Sequence, residues 1–105
     1  MNSNTLNHRI AVHMGWVQDD WGIWTRGDDV RETCPPYDAD PGLMLELLRK
    51  MPDVYLGAYD CATMTVIECT YDAETDTTTW VQHAIDDPGQ EPAMVAEVFA
   101  RRCGL

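Results

Sequence analysis

The apolar positions change period along the chain. Leu6, Ile10 and Met14 recur at every fourth residue between Asn4 and Met14, which places them on one side of a short helix that Gly15 stops. Met44, Leu47, Leu48 and Met51 recur at i, i+3, i+4 and i+7 in DADPGLMLELLRKMP, predicting a second helix. Asp40 is its N-cap, Pro41 lies in its first turn and Pro52 follows its end. Three strand-like runs follow: Asp53 to Tyr59, Thr63 to Tyr71 and Thr77 to Ile85. They are rich in β-branched and aromatic residues, and short polar segments join them. In the second run Thr65, Ile67, Cys69 and Tyr71 share one face, and Met64, Val66, Glu68 and Thr70 share the other. Neither set is plainly polar, so both faces are expected to be partly covered. A last helix is predicted in GQEPAMVAEVFARRCGL, with Pro92 in its first turn, a buried stripe of Val95, Val98, Phe99 and Cys103, and Gly104 as its C-cap.

Between the first two helices, Val17 to Ala39 carries Gly22, Gly27, Pro35, Pro36 and several aspartates. It reads as a long loop or partly extended segment. The predicted order is helix, loop, helix, three strands, helix. This is an α+β fold in which a three-stranded antiparallel sheet packs with about three helices as an α/β sandwich, one domain spanning residues 1–105.

Charge sharpens the picture. Asp and Glu number 18 against seven Lys and Arg, a formal net charge of -11, and no Lys or Arg occurs between Lys50 and Arg101. Such a field repels nucleic acid and anionic lipid and steers toward basic partners or divalent cations; it also serves solubility. No apolar run is long enough to span a membrane, and MNSNTLNHR lacks the plan of a secretory signal, so a cytoplasmic protein is expected.

Candidate chemistry is sparse. The four cysteines Cys34, Cys61, Cys69 and Cys103 form no CxxC or CxxH pair. Free thiols are expected, with Cys61, Cys69 and Cys103 as small buried hydrophobes. His8 and His13 do not share a helical face, and no phosphate-loop, dinucleotide, serine-hydrolase or zinc-protease motif is present. Cys69 and His83, in consecutive strands, are the one thiol–imidazole pair to weigh. Asp19-Asp20 and Asp86-Asp87 lack the ligand spacing of a calcium loop. No cofactor, metal site or catalytic residue is assigned.

Several of these motifs together carry a resemblance. Gly15-Trp16 after an opening helix, Trp21 and Trp24 in the loop, PPYDADPGLMLELLRKM into the central helix and EPAMVAEVFARRC after the strands resemble the small phage proteins of the ABA-sandwich domain family. The resemblance spans nearly the whole chain. It implies an α/β sandwich and a phage or prophage origin, hence a host bacterial cell. It transfers no catalytic residue, because most members have no assigned role. Relatives commonly have an alanine-rich central helix, whereas this one is rich in Leu and Met.

Two uses of the aromatic loop compete. Trp16, Trp21, Trp24 and Tyr37 fold the loop onto the core, or some of them stay outside as anchors among Asp19, Asp20, Asp28 and Asp29. Trp16 belongs to the core; Trp21 and Trp24 are assigned to a partner. With Asp72, Glu74, Asp76, Asp86, Asp87 and Glu91 they make the expected partner-binding set. The expected function is an acidic, phage-encoded protein-binding protein. In its sharpest form it is an anti-defence inhibitor of the anti-CRISPR kind, covering the basic nucleic-acid-binding surface of a CRISPR-Cas or other complex, with no direct contact to nucleic acid or membrane. The alternatives are a small thiol- or metal-dependent enzyme using Cys69 and His83, and an accessory phage protein. An uncovered sheet edge makes a homodimer a further expectation.

Overall fold

The computed structural model describes residues 3–58, 64–85 and 89–105. Helix α1 (Ser3–His13) ends where Gly15 takes a positive φ of 95°, turning the chain so that Trp16 enters the core. Helix α2 (Pro41–Arg49) starts as its sequence dictates, with the Asp40 carboxylate accepting from the Gly42 and Leu43 N–H groups. Helix α3 (Glu91–Cys103) closes on Gly104 in the left-handed conformation. Its buried side chains are Pro92, Val95, Ala96, Val98, Phe99 and Ala100. Cys103 is exposed, which corrects its place in the predicted stripe.

Among the described residues there are two antiparallel sheets of three strands each, so the architecture is α+β. The sheet foreseen from the pattern is β4 (Val54–Ala58), β5 (Met64–Asp72) and β6 (Thr77–Ile85), in that spatial order. The second sheet lies in the segment expected to be a long loop or partly extended: β1 (Val17–Gln18), β2 (Trp24–Arg26) and β3 (Asp29–Arg31). Gly27, with φ 59°, and Asp28 are the two residues between the paired positions Arg26 and Asp29, and a Gly at the first of two such positions is the signature of a tight hairpin.

Helix α3 packs on one face of the β4–β5–β6 sheet, and α1 and α2 pack against α3. Val54, Val66 and Ile85 from that face join Leu6, Ile10 and Ala11 of α1, Leu43, Met44 and Leu47 of α2, Met51 after it, and the α3 stripe in one core. The loop aromatics are part of it: Trp16, Trp24 and Tyr37 are buried. Trp16 Nε1–H donates to the Tyr37 hydroxyl at 3.0 Å, so this indole and phenol enter the core with their polar tips paired. The Tyr37 hydroxyl donates in turn to Glu46 at 3.3 Å, and Arg26 forms a two-pronged bond to the same carboxylate while lying 4.7 Å above the Trp16 ring. Asn7, also buried, exchanges two hydrogen bonds with Asp38 and fixes α1 to the segment before α2.

Candidate protein-interaction face

Register decides which side chains leave the core. Val66 pairs with His83 and Leu56, and Glu68 with Val81 and Val54, so these residues belong to the helix-covered face. The intervening positions make the outer face: Tyr55, Thr65, Ile67, Cys69, Tyr71, Thr78, Trp80 and Gln82. This face is buried at Thr65, half-buried at Ile67 and Cys69, and open toward the hairpin, where Tyr71 is 60% and Trp80 58% exposed; Tyr55, on β4, is 51% exposed. Trp80 stands opposite Cys69, and Tyr71 opposite Thr78, so the two aromatics are diagonal neighbours across the strands. The expectation that both faces are partly covered holds only for the end near Thr65.

The hairpin carries the charge. In the turn between β5 and β6, Asp72 Oδ1 accepts the Glu74 N–H at 3.0 Å, and Asp76 adopts a positive φ of 52°, which a short polar side chain tolerates better than most. The Tyr71 hydroxyl donates to Asp76 at 2.6 Å, and that bond to a carboxylate holds the phenol pKa above its ordinary value. Asp72, Glu74 and Asp76 therefore cluster beside the exposed aromatics, all of them exposed. Glu91 is elsewhere: it opens α3, beyond the opposite end of β6, where a carboxylate complements the helix dipole. Asp86 and Asp87 lie outside the described residues.

Of the loop tryptophans assigned to a partner, only Trp21 is on the surface. It is 89% exposed at the β1–β2 turn, where Asp19 Oδ1 accepts the backbone N–H groups of both Trp21 and Ile23 at 2.9 Å. Trp24 is 2% exposed and sits edge-on to the His8 ring, 5.0 Å away. Its paired residues, Gln18 and Arg31, share its side of the small sheet, while Val17, Thr25 and Val30 share the other, where Val17 and Val30 are exposed. Its place in the partner-binding set is corrected: it is a core residue.

The thiol–imidazole pair is also corrected. Cys69 lies opposite Trp80 on the outer face, whereas His83 lies opposite Val66 on the covered face. His83 Nε2 is instead 2.7 Å from the Glu68 carboxylate, which also receives Arg101 and, at 3.0 Å, Arg102 Nε; Arg102 continues to Asp53 at 2.7 Å. Sequence pattern gave no warning of this network, because a lone Glu in an alternating strand has the same appearance whether it faces water or a helix. Cys34, Cys69 and Cys103 are free thiols, Cys69 half-buried and Cys103 exposed rather than buried, and Cys61 lies outside the described residues. Among the described residues no group of three or more His, Cys, Asp and Glu is arranged to hold a metal ion.

Burial by itself raises the pKa of Glu68, but the bonds from His83, Arg101 and Arg102 outweigh it and hold the carboxyl below its ordinary value; the bond from Arg102 does the same for Asp53. A depressed folded-state pKa contributes stability above the unfolded value and loses it as pH falls through the folded one. Stability is therefore expected to be level near neutrality and to decline below about pH 4. Glu68→Gln should lose about 2 kcal/mol at pH 7, since Arg101 and Arg102 keep access to water or Asp53. It should also flatten the acid limb of a urea-denaturation series taken across pH.

A cleft of about 510 Å³ opens where the C-terminal ends of α1, α2 and α3 converge, lined among others by His13, Lys50, Met51, Phe99, Arg102 and Cys103. Its cations lie near the carbonyl ends of the helices, where positive charge is favoured for structural reasons. Among the described residues, no helix is long and apolar enough to cross a membrane. No protein-family model, curated protein or solved structure matches the chain.

Proposed function

We propose that the protein is a binding protein that docks on a basic surface of another protein through the outer face of β4–β5–β6 and the acidic hairpin beside it. The observation that carries this reading is the group of exposed aromatics Tyr55, Tyr71 and Trp80 on one sheet face, next to Asp72, Glu74 and Asp76. Rigid aromatics supply contact area at low entropic cost, and a carboxylate rim selects and steers a positively charged partner. Trp21, fixed at its turn by Asp19, is a second exposed anchor.

The partner class that best fits a net charge of -11 is a protein whose own surface binds nucleic acid, because carboxylates then take the place of phosphates. A phage-encoded inhibitor of a host defence complex is the sharpest form of this reading. The test is capture from a bacterial host lysate on the tagged protein at low and high salt. A nucleic-acid-binding protein retained at low salt, released at high salt, and prevented from binding its nucleic acid supports the proposal. Glu74→Lys should weaken that retention roughly fivefold and reduce its salt dependence, as expected for a rim charge. Retention indifferent to salt and to Glu74→Lys would remove the electrostatic reading.

A further inference from the structure

We infer that the free edge of β6 accepts an extended, basic segment of a partner as a fourth strand of the sheet. The inference rests on the binding function proposed above and adds how the partner is held. Its starting point is one bond: the Cys69 N–H donates to the Asp53 carbonyl at 2.8 Å, so Cys69 turns its backbone groups toward β4. In an antiparallel ladder the direction alternates from residue to residue. Thr65, Ile67 and Cys69 therefore serve β4, while Val66, Glu68, Thr70 and Asp72 serve their β6 partners His83, Val81, Thr79 and Thr77. The remaining β6 residues, Thr78, Trp80, Gln82 and Ala84, turn their N–H and C=O groups away from the sheet. All four are exposed, and among the described residues no strand lies beyond β6.

Edges of this kind are ordinarily guarded by Lys, by Pro, by a bulge or by being short. β6 has nine residues, an unbroken register, and neither Lys nor Pro. Its protection is the charge of the molecule. A second copy would bring a further net charge of -11 to the same edge, and Asp72, Glu74 and Asp76 stand at its hairpin end. An anionic guard repels like chains and leaves the edge open to one class of strand, that bearing Lys or Arg. Such a strand would satisfy the outward backbone groups and cover the flank of Trp80, joining the edge to the aromatic face.

The test uses the full chain and a nine-residue peptide alternating lysine and valine, with a glutamate–valine peptide as control, read by fluorescence anisotropy and amide hydrogen exchange. The lysine peptide should bind and slow exchange at Thr78, Trp80, Gln82 and Ala84, and the glutamate peptide should do neither. Gln82→Pro removes an outward N–H without removing a bond to β5, a position where an edge strand tolerates proline. It should weaken the lysine peptide at least tenfold, whereas Gln82→Ala should not. Lysine-peptide binding with no protection of those four amides would overturn edge pairing, and so would equal affinity of the Pro and Ala variants with folding intact. If Gln82→Pro fails to fold, exchange in the unaltered chain decides alone. Binding lost in Trp80→Thr but kept in Gln82→Pro would leave the face docking standing and the edge pairing refuted. Dimerisation of the free chain through the same amides would replace the basic strand by a second copy.

Discussion

Replacing Trp80 and Tyr71 together by threonine is expected to lower affinity for the captured basic partner by at least about a hundredfold. A buried aromatic anchor contributes about 2 kcal/mol or more to a typical interface, and each 1.4 kcal/mol is about tenfold in affinity. The fold should hardly notice. Both side chains are more than half exposed on a face that no described helix covers, and threonine brings a β-branched side chain that suits a strand. Urea denaturation should place the double variant within about 1 kcal/mol of the parent. Titration calorimetry against the same partner should show the affinity loss mainly as faster dissociation. An unchanged affinity in a folded double variant would move the interface off this face.

The largest effect on stability is expected from Trp16→Ala. Truncating a buried aromatic of this size costs about 3–5 kcal/mol, and the loss here extends to polar partners. The Tyr37 hydroxyl loses the N–H that it accepts at 3.0 Å, and Arg26 and Arg31 lose the ring that both overlie. For a chain of 105 residues this is a large share of total stability. The midpoint of thermal unfolding should fall by on the order of 20 °C. Trp16→Phe separates the contributions: it keeps most of the apolar area but leaves the Tyr37 oxygen with only the longer bond from Arg26, at 3.5 Å, and about 1–3 kcal/mol should be lost. A Trp16→Ala variant of near-parental stability would contradict the view that the loop aromatics complete the core.

The elements with strong periodicity were legible. Helix α2, the strand Thr77–Ile85 and the Gly104 cap follow from spacing, capping and turn chemistry that act over a few residues. The β1–β2–β3 sheet was not, because its strands are two or three residues long and too short to show alternation. A signal for one of its hairpins was nevertheless present in Arg26-Gly27-Asp28-Asp29, a two-residue Gly-Asp connection flanked by Trp24 and Val30. The division of the tryptophans turned on the same sheet. Trp21 and Trp24 are separated by a turn and a strand start, so one is at a tip while the other is on the inward face.

The candidate face was half legible. Its acids, Asp72, Glu74 and Asp76, were marked by the hairpin sequence, and the alternation in β5 placed Cys69 and Tyr71 together. Its aromatics Tyr55, Tyr71 and Trp80 were missed as a group, because sequence alternation tells which residues share a face but not which face the helices cover. That choice is made by Val66 and Glu68, one packing into the helical core and the other bonding to Arg101 and Arg102 of α3.

The central claim is that the uncovered face of β4–β5–β6 is where a partner sits. Hydroxyl-radical footprinting of the protein, free and bound to the basic partner captured at low salt, addresses it directly, since Trp and Tyr report their own exposure. Protection of Trp80, Tyr71 and Tyr55 on binding is the predicted result. Unchanged labelling of these three residues in a complex shown to be formed would contradict the account.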